Sequence, residues 1–118
     1  MNTLYAIFVP FQTPIVQAVD LPERPQLEDI EKLVLPVIGK DNDMEHVSVL
    51  WHFPPISKNP ARRDMFVDET GALKGLQMNP LATRIYQNAT IVQHKPVDPS
   101  ALAKIYGSAV LFEKRVWF

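Results

Sequence analysis

The sequence predicts one small α+β domain, and three observations carry that expectation. The chain has 118 residues, the size of one ordinary domain with no room for two. Its hydrophobic fraction of 47% is close to the globular average, so residues 1–118 are read as a single domain with a real core. Apolar runs of period two interchange with stretches of helical spacing, in the order β-β-α-β-β-α-(α)-β. That order implies a mixed or antiparallel sheet with two to three helices on one of its faces.

Leu4 to Val9 is an apolar run rich in β-formers and closed by Pro10. Phe11-Gln12-Thr13-Pro14 can turn the chain. Ile15 to Leu21 then alternates, so the two runs are expected to pair antiparallel. Pro22 and Pro25 break the chain before a helix. Leu27, Ile30, Val34 and Val37 fall at helical spacing there, with Glu28, Asp29 and Glu31 in the early turns where the helix dipole favours negative charge. Pro36 removes a backbone donor and disfavours helix at Leu35, so the helix is expected to stop or kink at that point. Gly39 and the polar residues 40–43 complete the exit.

Glu45 to Phe53 is the clearest strand. Val47, Val49, Trp51 and Phe53 share one face, and His46, Ser48, Leu50 and His52 the other. The first face is expected to be core, with Val47, Val49 and Trp51 nearly fully buried. Prolines at 54, 55 and 60 and the pair Arg62-Arg63 mark residues 54–63 as a surface loop. Met65 to Asp68 is a short strand, and Asp68 to Gly71 its turn, with Gly71 expected at positive φ.

Asn79-Pro80 opens a helix. The Asn side chain can accept from free N–H groups of the first turn, and Pro is preset for the first helical position. Leu81, Ile85 and Ala89, with Ala82 and Tyr86 beside them, form its apolar stripe. Asp98-Pro99 repeats the device, so a short helix is expected from Pro99 to Tyr106, stopping at Gly107. Ala109 to Phe118 closes the chain as one bent strand.

Composition narrows the classes of function. Lys+Arg 12 against Asp+Glu 13 gives a formal charge of −1. That lacks the basic excess through which phosphate neutralisation drives nucleic-acid affinity, so no nucleic-acid partner is expected. Cys is 0, which removes disulfides, thiolate metal sites and a cysteine nucleophile and fits a reducing, cytoplasmic compartment. No apolar run approaches the roughly 18 residues that span a bilayer, and no basic segment precedes the apolar start, so no membrane partner is expected. His46 and His52 lie roughly 20 Å apart along one strand, and no His-x-x-x-His pattern exists. No metal and no cofactor are expected.

The second half carries a resemblance. A strand ends in Asp-Glu before a Gly (Asp68, Glu69, Gly71). An Asn opens a helix with Ala-Thr and Tyr behind it (Asn79, Ala82, Thr83, Tyr86). A Gly precedes an apolar strand (Gly107, then Ala109 to Phe112). Residues 64–118 thus resemble the family described as domain of unknown function 3846. That family is scattered through bacteria, phages and other mobile elements. The resemblance implies a small domain in such a context and carries no activity with it.

The candidate binding residues follow from these landmarks. Asp68, Glu69 and Gly71 read first as a polar β-turn and second as an acidic edge to a pocket. Asn79, Thr83, Arg84 and Tyr86 lie at or near a helix start, where an anion can meet free N–H groups and the Arg84 fork. Plain capping by Asn79 is the simpler reading. Arg62-Arg63 with Lys58 is the local basic cluster and reads as solvated loop. No serine has the glycines of a nucleophile elbow, and no catalytic constellation is legible. The leading expectation is a non-enzymatic binding module of a mobile element or phage, taking a protein or a small anionic ligand. One alternative is a small enzyme acting on a nucleotide-like acid, with Asp68, Glu69, His52 and Arg84 converging. Another is a homodimer joined through the C-terminal strand.

Overall fold

The computed structural model describes residues 2–39, 44–53, 60–93 and 104–118. Strands β1 (Asn2–Phe8) and β2 (Ile15–Asp20) form an antiparallel hairpin, with Tyr5 opposite Gln17. Helix α1 (Leu27–Ile38) follows, then β3 (Met44–Trp51), β4 (Ala61–Asp68), helix α2 (Pro80–Gln93) and β5 (Ala109–Phe112). The five strands form one sheet in the order β2-β1-β5-β4-β3, and every neighbouring pair is antiparallel. The α+β class and the strand–helix order match the expectation from sequence.

The helices do not share a face. α1 sits on one side of the sheet, where Ile30, Val34 and Ile38 pack with Tyr5, Phe66, Val110 and Phe112. Ala82 and Ile85 of α2 pack on the other side with Phe8, Val49, Met65 and Leu111. The expected one-sided arrangement is therefore corrected to a sheet between two helices. The physical reason lies in β4 and β5. Met65-Phe66-Val67 and Ala109-Val110-Leu111-Phe112 are apolar at every position, and both side-chain sets are buried, as strands covered on both faces require.

Several boundaries also move. α1 runs through Pro36 to Ile38. Pro36 leaves the Lys32 carbonyl without its helical donor, both residues are exposed, and the Gly39 N–H closes the last turn on Leu35 O at 2.8 Å. β4 starts at Ala61, inside the stretch read as loop, while residues 54–59 lie outside the described residues. The expected helix start at Asp98-Pro99 also lies outside them. Lys104 to Gly107 is not helical: Tyr106 is bridged to Met78 and Gly107 is a bend at positive φ.

Trp51 is only half-buried, unlike Val47 and Val49. It ends the edge strand β3, stacks on exposed His52 with ring centroids 4.8 Å apart, and lies under the Arg84 guanidinium at 5.9 Å. The opposite face of β3 is covered only in part, with Ser48 exposed. His46 is half-buried there, flat against Trp117 at 4.9 Å.

The tail after β5 is not a strand. It is held by Asp64, whose side chain is fully buried. Asp64 Oδ2 accepts the backbone N–H groups of Val116 and Trp117 at 2.8 and 3.1 Å, and Oδ1 accepts from His46 Nε2 at 2.7 Å. A carboxylate only accepts, so Nε2 carries the proton. Arg63 is buried as well, correcting its reading as a solvated loop residue. It donates to Trp51 O at 2.7 Å and to Glu113 O at 2.8 Å. Burial draws its guanidinium below the usual value, and the nearby Glu113 charge opposes that.

Glycine does two different jobs at one end of the sheet. Gly71 is not at positive φ; the described positive-φ glycines are Gly39, Gly75 and Gly107. Gly71 is needed for space instead, because a Cβ there would collide with the backbone carbonyl oxygen of Tyr106. Gly71→Ala is expected to lower unfolding stability by about 1–3 kcal/mol through this overpacking, read from the urea midpoint.

Phe11 shows a different constraint. Gln12 N–H bonds Val9 O at 3.1 Å across Pro10-Phe11, and Phe11 has φ 61. That is the third position of a type II turn, which favours glycine, and an L-residue there gives up about 1–2 kcal/mol. Phe11 is 70% exposed.

Candidate functional site

A cleft of about 140 Å³ opens beside β3, β4 and α2. Its floor is apolar and buried: Val47, Val67 and Ile105. Half-buried Tyr86 and Tyr106 form its walls, and the exposed side chains of Glu45, Glu69 and Lys104 stand at its rim. These residues come from β3, the end of β4 and the turn after it, α2 and the segment leading to β5. The antiparallel register brings them together, since Met44 lies opposite Asp68 and Glu45 opposite Val67.

Of the candidates named from sequence, Asp68, Glu69 and Tyr86 line this cleft. The Asp68 carboxylate is committed elsewhere. It accepts from Lys74 Nζ at 2.8 Å, Thr70 N at 2.9 Å and Thr70 Oγ1 at 3.1 Å. Glu45 and Glu69 have no hydrogen-bond or ion-pair partner among the described residues.

Two opposing effects act on the Asp68 proton. Burial raises the carboxyl, but the hydrogen bonds from Lys74 and Thr70 and the Lys74 charge outweigh it and hold the group below its ordinary 3.8. A lowered native value means that this site's contribution to stability is fully present above the unfolded value and drains away as pH falls through the native one. A carboxyl NMR titration should place the Asp68 midpoint below 3.8. In Lys74→Met the midpoint should move upward.

Asn79 and Thr83 are built into the framework. Asn79 Oδ1 accepts from Ala82 N at 3.1 Å, the N-terminal cap expected from sequence. Its Nδ2 also donates to Phe8 O at 3.0 Å and Gly107 O at 2.9 Å, which sequence did not reveal. The Thr83 hydroxyl accepts from Ile105 N at 2.8 Å and lies 3.3 Å from Ile105 O. Pro80 has no N–H and the Ala82 N–H is taken, which leaves little of the helix start for an anion. Gly71 lies against the same segment at Tyr106, so the turn and the helix start both contact residues 105–107.

Arg84 lies apart from the cleft. It lines a separate shallow depression with Met78, Pro80 and Gln87. The convergence of Asp68, Glu69, His52 and Arg84 is not observed. Asp68 pairs with Met44 at the start of β3, and His52 follows its end, roughly 25 Å along the strand. Among the described residues, no group of three or more His, Cys, Asp or Glu side chains is placed to hold a metal ion. Among them, too, no helix is long and apolar enough to cross a membrane.

Glu45, Lys104 and Tyr106 are the lining residues that sequence reasoning missed. In the sequence each stands at the end of an expected strand or helix, and only the sheet order juxtaposes them. No family model, curated protein or solved structure matches the chain.

Proposed function

We propose that this domain is a binding module that holds a protein partner by one of the partner's basic side chains, seated in the cleft between Glu45, Glu69 and Tyr86. The cleft's size and charge together carry this reading. Small-molecule sites usually span about 300–1,000 Å³. A volume of about 140 Å³ suits a single side chain, as at the centre of protein interfaces. Among the described residues, two rim carboxylates without partners outnumber the single rim ammonium of Lys104, so the opening favours a cation over the anionic ligand expected from sequence. The aliphatic stem of a Lys or Arg would lie on Val47, Val67 and Ile105, with its charge near the Tyr rings and the carboxylates.

The resemblance over residues 64–118 and the absence of cysteine support a bacterial or phage setting and a cytoplasmic location. The enzyme reading loses its basis with the separation of His52 and Arg84 from Asp68.

Selection from a random peptide library on the immobilised chain tests the proposal. The enriched peptides should share a Lys or Arg. The Glu45→Gln/Glu69→Gln double variant should keep its unfolding midpoint and lose that enrichment. Enrichment of acidic peptides, or an unchanged selection on the double variant, would overturn it.

A further inference from the structure

Among the described residues the two edges of the sheet are β2 and β3, because β5 has β1 on one side and β4 on the other. A dimer through the C-terminal strand therefore has no free edge to use. The edges differ in chemistry. β3 carries Glu45 and His46 and is backed by α2. β2 reads Ile15-Val16-Gln17-Ala18-Val19-Asp20, without charge, proline or glycine in its first five residues. Natural edges are usually guarded by charges, prolines or bulges. Here Pro14 and Pro22 only bound the strand.

α1 packs mainly over β3, β4 and β5, and α2 over β3, which leaves the β2 margin outside the main helical cover on both faces. Ile15 is 47% exposed, and Gln17 and Ala18 are exposed as well.

We infer that β2 is an interface for a second copy of this chain, paired antiparallel about a two-fold axis at Gln17. The axis position follows from the sequence of the strand. A two-fold at Gln17 sets Ile15 opposite the second copy's Val19 on one face and Val16 opposite its Ala18 on the other. All five uncharged residues are then paired. A two-fold at Ala18 would bring Asp20 in against Val16, and one at Val16 would bring Pro14, which has no N–H, into the ladder.

The self-pairing places no like charges face to face. The Pro10-Phe11 turn of each copy would lie beside Pro22 of the other, giving the exposed Phe11 side chain an apolar neighbour. The result is a continuous ten-stranded sheet.

The test is the solution mass of the full chain against concentration, by light scattering. The expected result is a rise from 13.4 kDa toward twice that mass. In the dimer, alternate backbone amides between residues 15 and 19 should be protected from hydrogen exchange. Ala18→Lys at an exposed edge position should keep the far-UV circular dichroism of the parent and weaken association by about tenfold or more. Gln17→Lys, which faces its own copy at the axis, should do the same. If either variant fails to fold, the other decides, and the exchange pattern of the parent decides if both fail. A parent that stays at the monomer mass at its highest soluble concentration overturns the proposal. So does a dimer that both lysine variants leave intact, or a parent dimer whose residue 15–19 amides exchange as freely as exposed loops.

Discussion

Asp64→Ala is expected to destabilise the domain by about 3–5 kcal/mol, the range for removing one member of a buried charged hydrogen-bonded set. Asp64 is fully buried in β4, and four groups approach its carboxylate. His46 Nε2 and the Val116 and Trp117 N–H groups bond to it, and Arg62 reaches Oδ1 at 3.4 Å. Alanine removes the acceptor for all of them and leaves two backbone donors buried or newly wetted. The tail from 113 to 118 would lose its anchor, and Trp117 would lose its stack on His46. Asp64→Asn keeps the shape but presents an N–H₂ to donors, so it should recover only part of the loss. Urea unfolding followed by Trp fluorescence reads both. A variant within about 1 kcal/mol of the parent would show that the carboxylate does not hold the tail, since surface changes stay near that size.

Asn79→Ala should cost about 3 kcal/mol or more, well above the roughly 1 kcal/mol of a lost cap. The difference comes from Nδ2. It satisfies two carbonyls, Phe8 O at the end of β1 and Gly107 O before β5, and each buried orphan adds about 1–3 kcal/mol. Asn79→Asp separates the roles. It retains the acceptor for Ala82 N–H but turns an acceptor toward two carbonyls, so it should be at least as damaging as alanine. If Asn79→Asp were as stable as the parent, Asn79 would be a cap and nothing more.

Local pattern made much of the fold legible. The alternation of Val47 and Val49, the hairpin of residues 4–20 and the Asn79-Pro80 helix start are all encoded within a few residues. What escaped depends on distant partners. Arg62-Arg63 looks like loop because charged residues rarely enter a strand interior, yet Arg63 and Asp64 beside it are buried. Their burial rests on groups 50 to 53 positions away, at Glu113, Val116 and Trp117.

Trp51 lies at the end of an edge strand, where alternation marks a face but not its cover. The two-sided burial had a signal, the unbroken apolar runs 65–67 and 109–112, which period-two reasoning discounted. The candidate site divided in the same way. Asp68 and Glu69 are marked by their turn and Tyr86 by its helix. Glu45 and Lys104 reach the cleft only through the order β2-β1-β5-β4-β3.

The charge preference of the cleft is tested most directly by following backbone amide shifts of the isotopically labelled domain while arginine amide, and separately inorganic phosphate, is added. Arginine amide should produce saturable shifts confined to Glu45, Glu69, Tyr86, Lys104 and their neighbours, and these should vanish in Glu45→Gln/Glu69→Gln. Phosphate should leave those residues unmoved. Saturable phosphate shifts around Thr83 and Arg84, with no response of the cleft to arginine amide, would contradict the account and return the site to an anion at the helix start.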